Sequence, residues 1–187
     1  MLKKLKKYLE SENKDKTIFD IVIYGSFVKG KEKAGDIDIL IIFLEGALRE
    51  RLDKIQTIKN KIKDKIEAII DIKQILLKDL FSSDFLAKTG IFLEGDSVFK
   101  DKKFSETFGF KPYILFYYDL KGLTHTQKVK FNYILAGRNT KGMIKELSGE
   151  RLVNGTIKIP IENSLIFEDI LNNNKVNYHK IGILEAQ

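Results

Sequence analysis

Two aspartates one residue apart, Asp36 and Asp38, stand at the head of an apolar run that continues to Phe43. In a strand, residues i and i+2 share a face and lie roughly 6.5–7 Å apart. Ile37 and Ile39 then point the other way, into a core. Two acids side by side at the start of a buried strand are costly unless a cation sits between them. The chain has no Cys and only two His. Thiolate nucleophiles, Cys-ligated zinc and multi-His centres are therefore excluded, and a metal here would be a hard ion on oxygen ligands. Two divalent ions about 3.5–4 Å apart, held by carboxylates and substrate phosphates, would fit the gap.

Gly25-Ser26 supplies a second chemical feature. It comes straight off another apolar run, Ile21 to Tyr24, where a helix N-terminus would naturally follow. Such a terminus offers free N–H groups and the positive end of a dipole, which suits phosphate. Gly25 lets a ligand approach the backbone closely, and the Ser26 hydroxyl adds a hydrogen bond.

Gly25-Ser26, nine intervening residues and Asp36-Ile37-Asp38, set between two hydrophobic strands, resemble the DNA polymerase beta nucleotidyltransferase superfamily. The N-terminal part is most similar to its minimal nucleotidyltransferases. The likeness covers about residues 17–100 and departs in two places: Phe27 follows Gly-Ser where Arg is frequent, and Gly35 precedes the acids where Ser is frequent. The resemblance implies an α+β fold with a small mixed sheet flanked by helices. It implies Mg²⁺- or Mn²⁺-dependent transfer of a nucleoside monophosphate from a nucleoside triphosphate to a hydroxyl. Gly25, Ser26 and Lys29 would grip the triphosphate, and Asp36 and Asp38 would hold metal. The resemblance also implies a third catalytic and metal-binding acid on the strand after the long helix.

The elements that must position these groups are legible as patterns. Leu2, Leu5, Tyr8 and Leu9 mark a short amphipathic helix over residues 2–12, and Thr17 to Tyr24 reads as the first strand. Leu48, Leu52, Ile55, Ile58, Ile62 and Ile66 recur at steps of three and four, which predicts a helix over 47–65. Ala68 to Ile75 is the next strand, with Asp71 alone in its middle. If that strand lies beside the one carrying Asp36 and Asp38, Asp71 completes a carboxylate triad. The alternatives are Glu67 or Asp79 as the third acid, or Asp71 paired with Lys73 or Lys63. A helix over 76–94 and a short strand at Ser97 to Phe99 close a domain expected to span 1–100.

Residues 101–187 are expected to form a C-terminal α+β domain. An aromatic strand (Tyr113 to Tyr118), a helix capped by Thr124 and stopped at Gly137, and a short helix over 140–147 come first. A hairpin turning at Asn154-Gly155, a helix over 164–171 and a closing strand follow. Two short helices before a basic hairpin loosely resemble a winged helix. Lysines and arginines alternate with Phe131 and Tyr133, which suits either phosphate contact with base stacking or a helix whose aromatics are core. Arg138, Lys141, Lys145 and Arg151 cluster around turns and are candidates for acceptor or nucleic-acid binding. His125 and His179 stand alone and read as structural.

The 187 residues carry a formal charge of +7, which favours a polyanionic partner. No apolar run approaches the ~20 residues of a membrane span, and the N-terminus lacks a long apolar segment, so a cytoplasmic protein without a membrane partner is expected. The acceptor could be a protein hydroxyl, a nucleic-acid end or a small molecule. Many minimal nucleotidyltransferases pair with a helical toxin, so the resemblance also makes such a partner a candidate. A rival reading is a non-catalytic nucleic-acid-binding protein that keeps the fold as a scaffold.

Overall fold

β-Branched residues build the centre of the first sheet. Ile21, Val22 and Ile23 on one strand and Ile37, Ile39, Ile41 and Ile42 on the next are fully buried. Side chains with two heavy atoms on Cβ are stiff and pack well on a pleated surface, so these runs become strands. A computed structural model describes residues 2–25, 28, 36–63, 65, 66, 68–138 and 141–187. It divides into two compact units, 1–110 and 111–187.

The first unit contains, in order, α1 (Leu2–Glu10), β1 (Ile18–Tyr24), β2 (Asp36–Phe43), α2 (Leu48–Lys63), β3 (Ile69–Leu76), α3 (Lys88–Glu94) and β4 (Asp96–Ser97). The sheet order is β3-β2-β1-β4. β1 runs antiparallel to β2 and β4, whereas β2 and β3 are parallel, with α2 as the crossover that parallel pairing requires. Alternation along β1 and β2 sends side chains to two cores. Ile21, Ile23, Ile37, Ile39 and Ile41 meet Leu5, Leu9, Ile58 and Ile62 from α1 and α2. Val22, Tyr24, Leu40 and Ile42 meet Leu80, Ile91 and Phe104 on the other face.

Two expectations change. The apolar stripe of α2 is not buried along its whole length: Leu48 and Leu52 are half exposed, and Ile58 and Ile62 do the packing. The single helix expected over 76–94 is a 3₁₀ turn at Leu77–Asp79, a series of turns, and then α3. At the break the Asp84 N–H donates to the Ser82 hydroxyl oxygen at 3.3 Å, a local bond that competes with helix formation. The 3₁₀ segment Phe104–Phe108 packs with this unit, its Phe104 and Phe108 rings tilted against Phe92.

The second unit contains β5 (Phe110–Asp119), α4 (His125–Ala136), α5 (Met143–Glu146), β6 (Glu150–Val153), β7 (Thr156–Pro160), α6 (Ser164–Asn173) and β8 (Asn177–Ala186). Its sheet order is β6-β7-β5-β8. Thr124 and Gln127 cap α4 reciprocally, and Gly137 ends it at φ +79°. Phe116, Phe131, Ile157 and Phe167 form the core. α5 is a single turn of four residues, too short to read a DNA groove, so the winged-helix likeness stops at the hairpin. No helix among the described residues is long and apolar enough to cross a membrane.

A buried carboxyl pins β1 to the segment that follows β4. Asp20 accepts the Ser97 hydroxyl at 2.7 Å and the Ile21 and Phe99 N–H groups at 2.8 and 3.4 Å. Burial pushes its carboxyl up, against the pull of these donors. Ser97→Ala leaves one Asp20 oxygen buried without a donor, which should cost about 1.5–3 kcal/mol in denaturant unfolding. Unchanged stability would show that the pin carries no weight.

Candidate active site

The parallel pairing of β2 with β3 decides where the acids fall. In the register, Asp38 stands beside Asp71 and Asp36 beside Ile69. Asp36 and Asp38 share a face with Leu40 and Ile42, the face that packs on Leu80, Ile91 and Phe104. The acids lie at the start of the strand, and the side chains become more open there: Asp38 is half-buried, and Asp36 and Asp71 are exposed.

β1 arrives from the opposite direction. Its last residue, Tyr24, pairs with Asp38, and Gly25 follows at φ +85°. A Cβ on Gly25 would lie 2.5 Å from Oδ2 of Asp38. Glycine is thus required twice, for the left-handed backbone and for the room that Asp38 occupies.

Among the described residues, the electrostatics are those of crowded carboxylates with Lys73 beside them. Burial pushes the Asp38 carboxyl up, Asp36 and Asp71 push it further, and Lys73 opposes them. Lys73 Nζ lies 3.4 Å from Asp71 Oδ2. Burial also raises the Tyr24 phenol, with Lys73 opposing and Asp38 and Asp71 adding to the rise. Tyr24 and then Asp71 hold the Lys73 ammonium above its usual range.

Strand pairing therefore brings Gly25, Asp36, Asp38 and Asp71 to one end of the sheet. The Asp71–Lys73 pair, an alternative to a triad from sequence, exists alongside the cluster. Asp79 falls beyond the opposite end of β3 and does not join it. Ser26, Lys29 and Glu67 lie outside the described residues. Lys73 was read from the sequence as a partner for Asp71, whereas Tyr24 was not legible as a member of the site. Their signals were positional: Tyr24 immediately precedes Gly25, and Lys73 is two residues from Asp71, on the same strand face.

Among the described residues, no three His, Cys, Asp or Glu side chains come close enough together to hold a metal ion by themselves. The donors present still suit one. They are hard carboxylate oxygens with mutual repulsion to relieve, and Mg²⁺ is commonly held by one or two carboxylates plus substrate phosphates. In the second unit, Arg138, Lys141, Lys145 and Arg151 are all exposed. None has an ion-pair partner among the described residues, unlike Lys158, which bridges Glu150 and Glu185.

Residues 2–92 match the family model of the nucleotidyltransferase domain, and this part of the chain is a nucleotidyltransferase domain of the polymerase beta-like superfamily. No curated protein matches the chain in sequence.

Gly25→Ala should displace Asp38 and strain the backbone. The expected cost is about 1–3 kcal/mol of stability, read by thermal or denaturant unfolding. A variant as stable as wild type would show that the Gly25–Asp38 contact is loose.

Proposed function

We propose that the chain transfers a nucleoside monophosphate from a nucleoside triphosphate to a hydroxyl acceptor, with Mg²⁺ or Mn²⁺. The observation that carries this reading is the in-register pair Asp38–Asp71, with Asp36 two residues away on the same face and Gly25 packed against Asp38.

In this reading the Gly25 backbone, the Ser26 hydroxyl and Lys29 hold the β- and γ-phosphates. Asp36 and Asp38 are the metal-holding groups, with Asp71 completing the set. When bound, the divalent ion neutralises phosphate charge and lowers the pKa of the acceptor hydroxyl. Asp71 orients that hydroxyl toward the α-phosphorus. A new oxygen–phosphorus bond forms there as the bond to pyrophosphate breaks, and the hydroxyl proton leaves to solvent. Lys73 tempers the charge of Asp71 and Tyr24 walls the site. Catalysis is then mostly positioning and charge neutralisation, and no protein nucleophile is needed. The second unit would hold the acceptor, with Arg138, Lys141, Lys145 and Arg151 as its phosphate-facing surface.

The test uses triphosphate labelled at the α- or the γ-phosphorus. Label from the α-position should move to the acceptor and label from the γ-position should leave as pyrophosphate. Asp36→Asn and Asp38→Asn should abolish transfer. The metal-free Asp38→Asn protein should be at least as stable as wild type, because a repelling charge is removed. Near-normal turnover by either variant would contradict the role given to these acids.

A further inference from the structure

The second unit carries two clefts that share the Asn154-Gly155 turn. One, of about 420 Å³, is lined by Tyr117, Asp119, Asn177 and His179. The other, of about 330 Å³, is lined by Leu120, Asn132 and Arg151. Tyr118, Asn154 and Gly155 border both. These volumes lie at the low end for small-ligand sites, with room for a base and its sugar and none for a helix.

The walls are fixed before any ligand arrives. The Tyr118 N–H donates to the Gly155 carbonyl at 2.8 Å, and a Cβ on Gly155, at φ +83°, would lie 2.8 Å from the Tyr118 carbonyl. The Tyr178 hydroxyl donates to Glu168 at 2.7 Å, holding its ring in place at the rim. The groups that face outward are open. The Asn154 and Asn177 amides have no hydrogen-bond partner among the described residues, and Arg151 has no carboxylate. One Asp119 oxygen accepts the Lys121 N–H at 2.8 Å, and the other is free to accept. Tyr117 is 41% exposed.

The stretch that supplies Leu120 and Asn132 to the smaller cleft is basic. Residues 120–145 include Lys121, Lys128, Lys130, Arg138, Lys141 and Lys145 and contain no Asp or Glu. Arg138 stacks over the Tyr133 ring at 5.2 Å. A partly exposed tyrosine, unpaired amides and an acid-free basic stretch suit a ligand with flat faces, polar edges and a charged backbone.

We propose that these clefts bind single-stranded nucleic acid. A base stacks on Tyr117, the Asn177 amide and Asp119 meet its polar edge, and Arg151 takes a flanking phosphate. A double strand hides its base faces and would bind less well. As an acceptor site the cleft rests on the transfer reading above; as a binding site it stands without it.

The experiment measures fluorescence anisotropy of short labelled oligonucleotides with the full chain, without triphosphate or divalent ion. Single-stranded RNA, single-stranded DNA and a duplex are compared at low and moderate salt. Single strands of either sugar should bind more tightly than the duplex, and the ratio between the two names the preferred sugar. Tyr117→Ala should weaken binding about tenfold or more, on the scale of a lost base–aromatic stack, while Tyr117→Phe retains it. Arg151→Gln, at an exposed position, should weaken all sequences alike and reduce the salt slope by about one. Asp38→Asn should bind oligonucleotide as wild type does, which separates failure of this site from failure of the transferase reading. Binding of no oligonucleotide at low salt, as expected of a surface for a protein partner, would overturn the proposal. So would duplex binding as tight as single-strand binding, or unchanged affinity in both Tyr117→Ala and Arg151→Gln.

Discussion

Carboxylate set beside carboxylate across a parallel strand pair is the constraint on which the first unit turns. The β2–β3 register places Asp38 next to Asp71, with Asp36 close enough to raise the Asp38 carboxyl further. Like charges in a half-buried place cost free energy, and Lys73 offsets only part of it. The apolar strands, the α2 crossover and the Leu5–Leu9 contact of α1 with the sheet supply the stability that supports such an arrangement. Gly25 completes it by leaving the space that Asp38 fills.

The same strands explain what was legible in the sequence. β1, β2, α2 and β3 follow from apolar runs and a 3.6-residue stripe, and their ends fall within a few residues of expectation. The partnership of Asp38 and Asp71 depended on which strands are neighbours. Spacing along one chain does not state that, and the resemblance to a known superfamily supplied it. Leu48 and Leu52 looked like core because periodicity cannot show where a sheet ends under a helix. The break at Ser82 was hidden because its cause is a side chain bonding to nearby backbone. Tyr24 stands beside Asp38 across the strands, so its role emerges only with the register.

The second unit separates residues that composition treats alike. Phe131 is core and Tyr133 is surface, although they sit two positions apart on α4. Lys158 is locked between Glu150 and Glu185 over the Tyr113 ring, while Arg151, on the neighbouring strand, has no carboxylate partner among the described residues. A basic sequence thus resolves into cations that brace the sheet and cations that remain open to an anionic partner. Arg151, one of the open ones, lines the smaller of the two clefts beside the Asn154-Gly155 turn.

The most direct test of the carboxylate cluster as a cation site is paramagnetic broadening by Mn²⁺ in NMR spectra of the protein with a non-hydrolysable nucleoside triphosphate. Amide signals of Asp36, Asp38 and Asp71 and their strand neighbours should broaden first, and Mg²⁺ should reverse the effect. Broadening centred elsewhere, or none at Mn²⁺ concentrations that saturate the triphosphate, would contradict a metal-dependent centre at this end of the sheet.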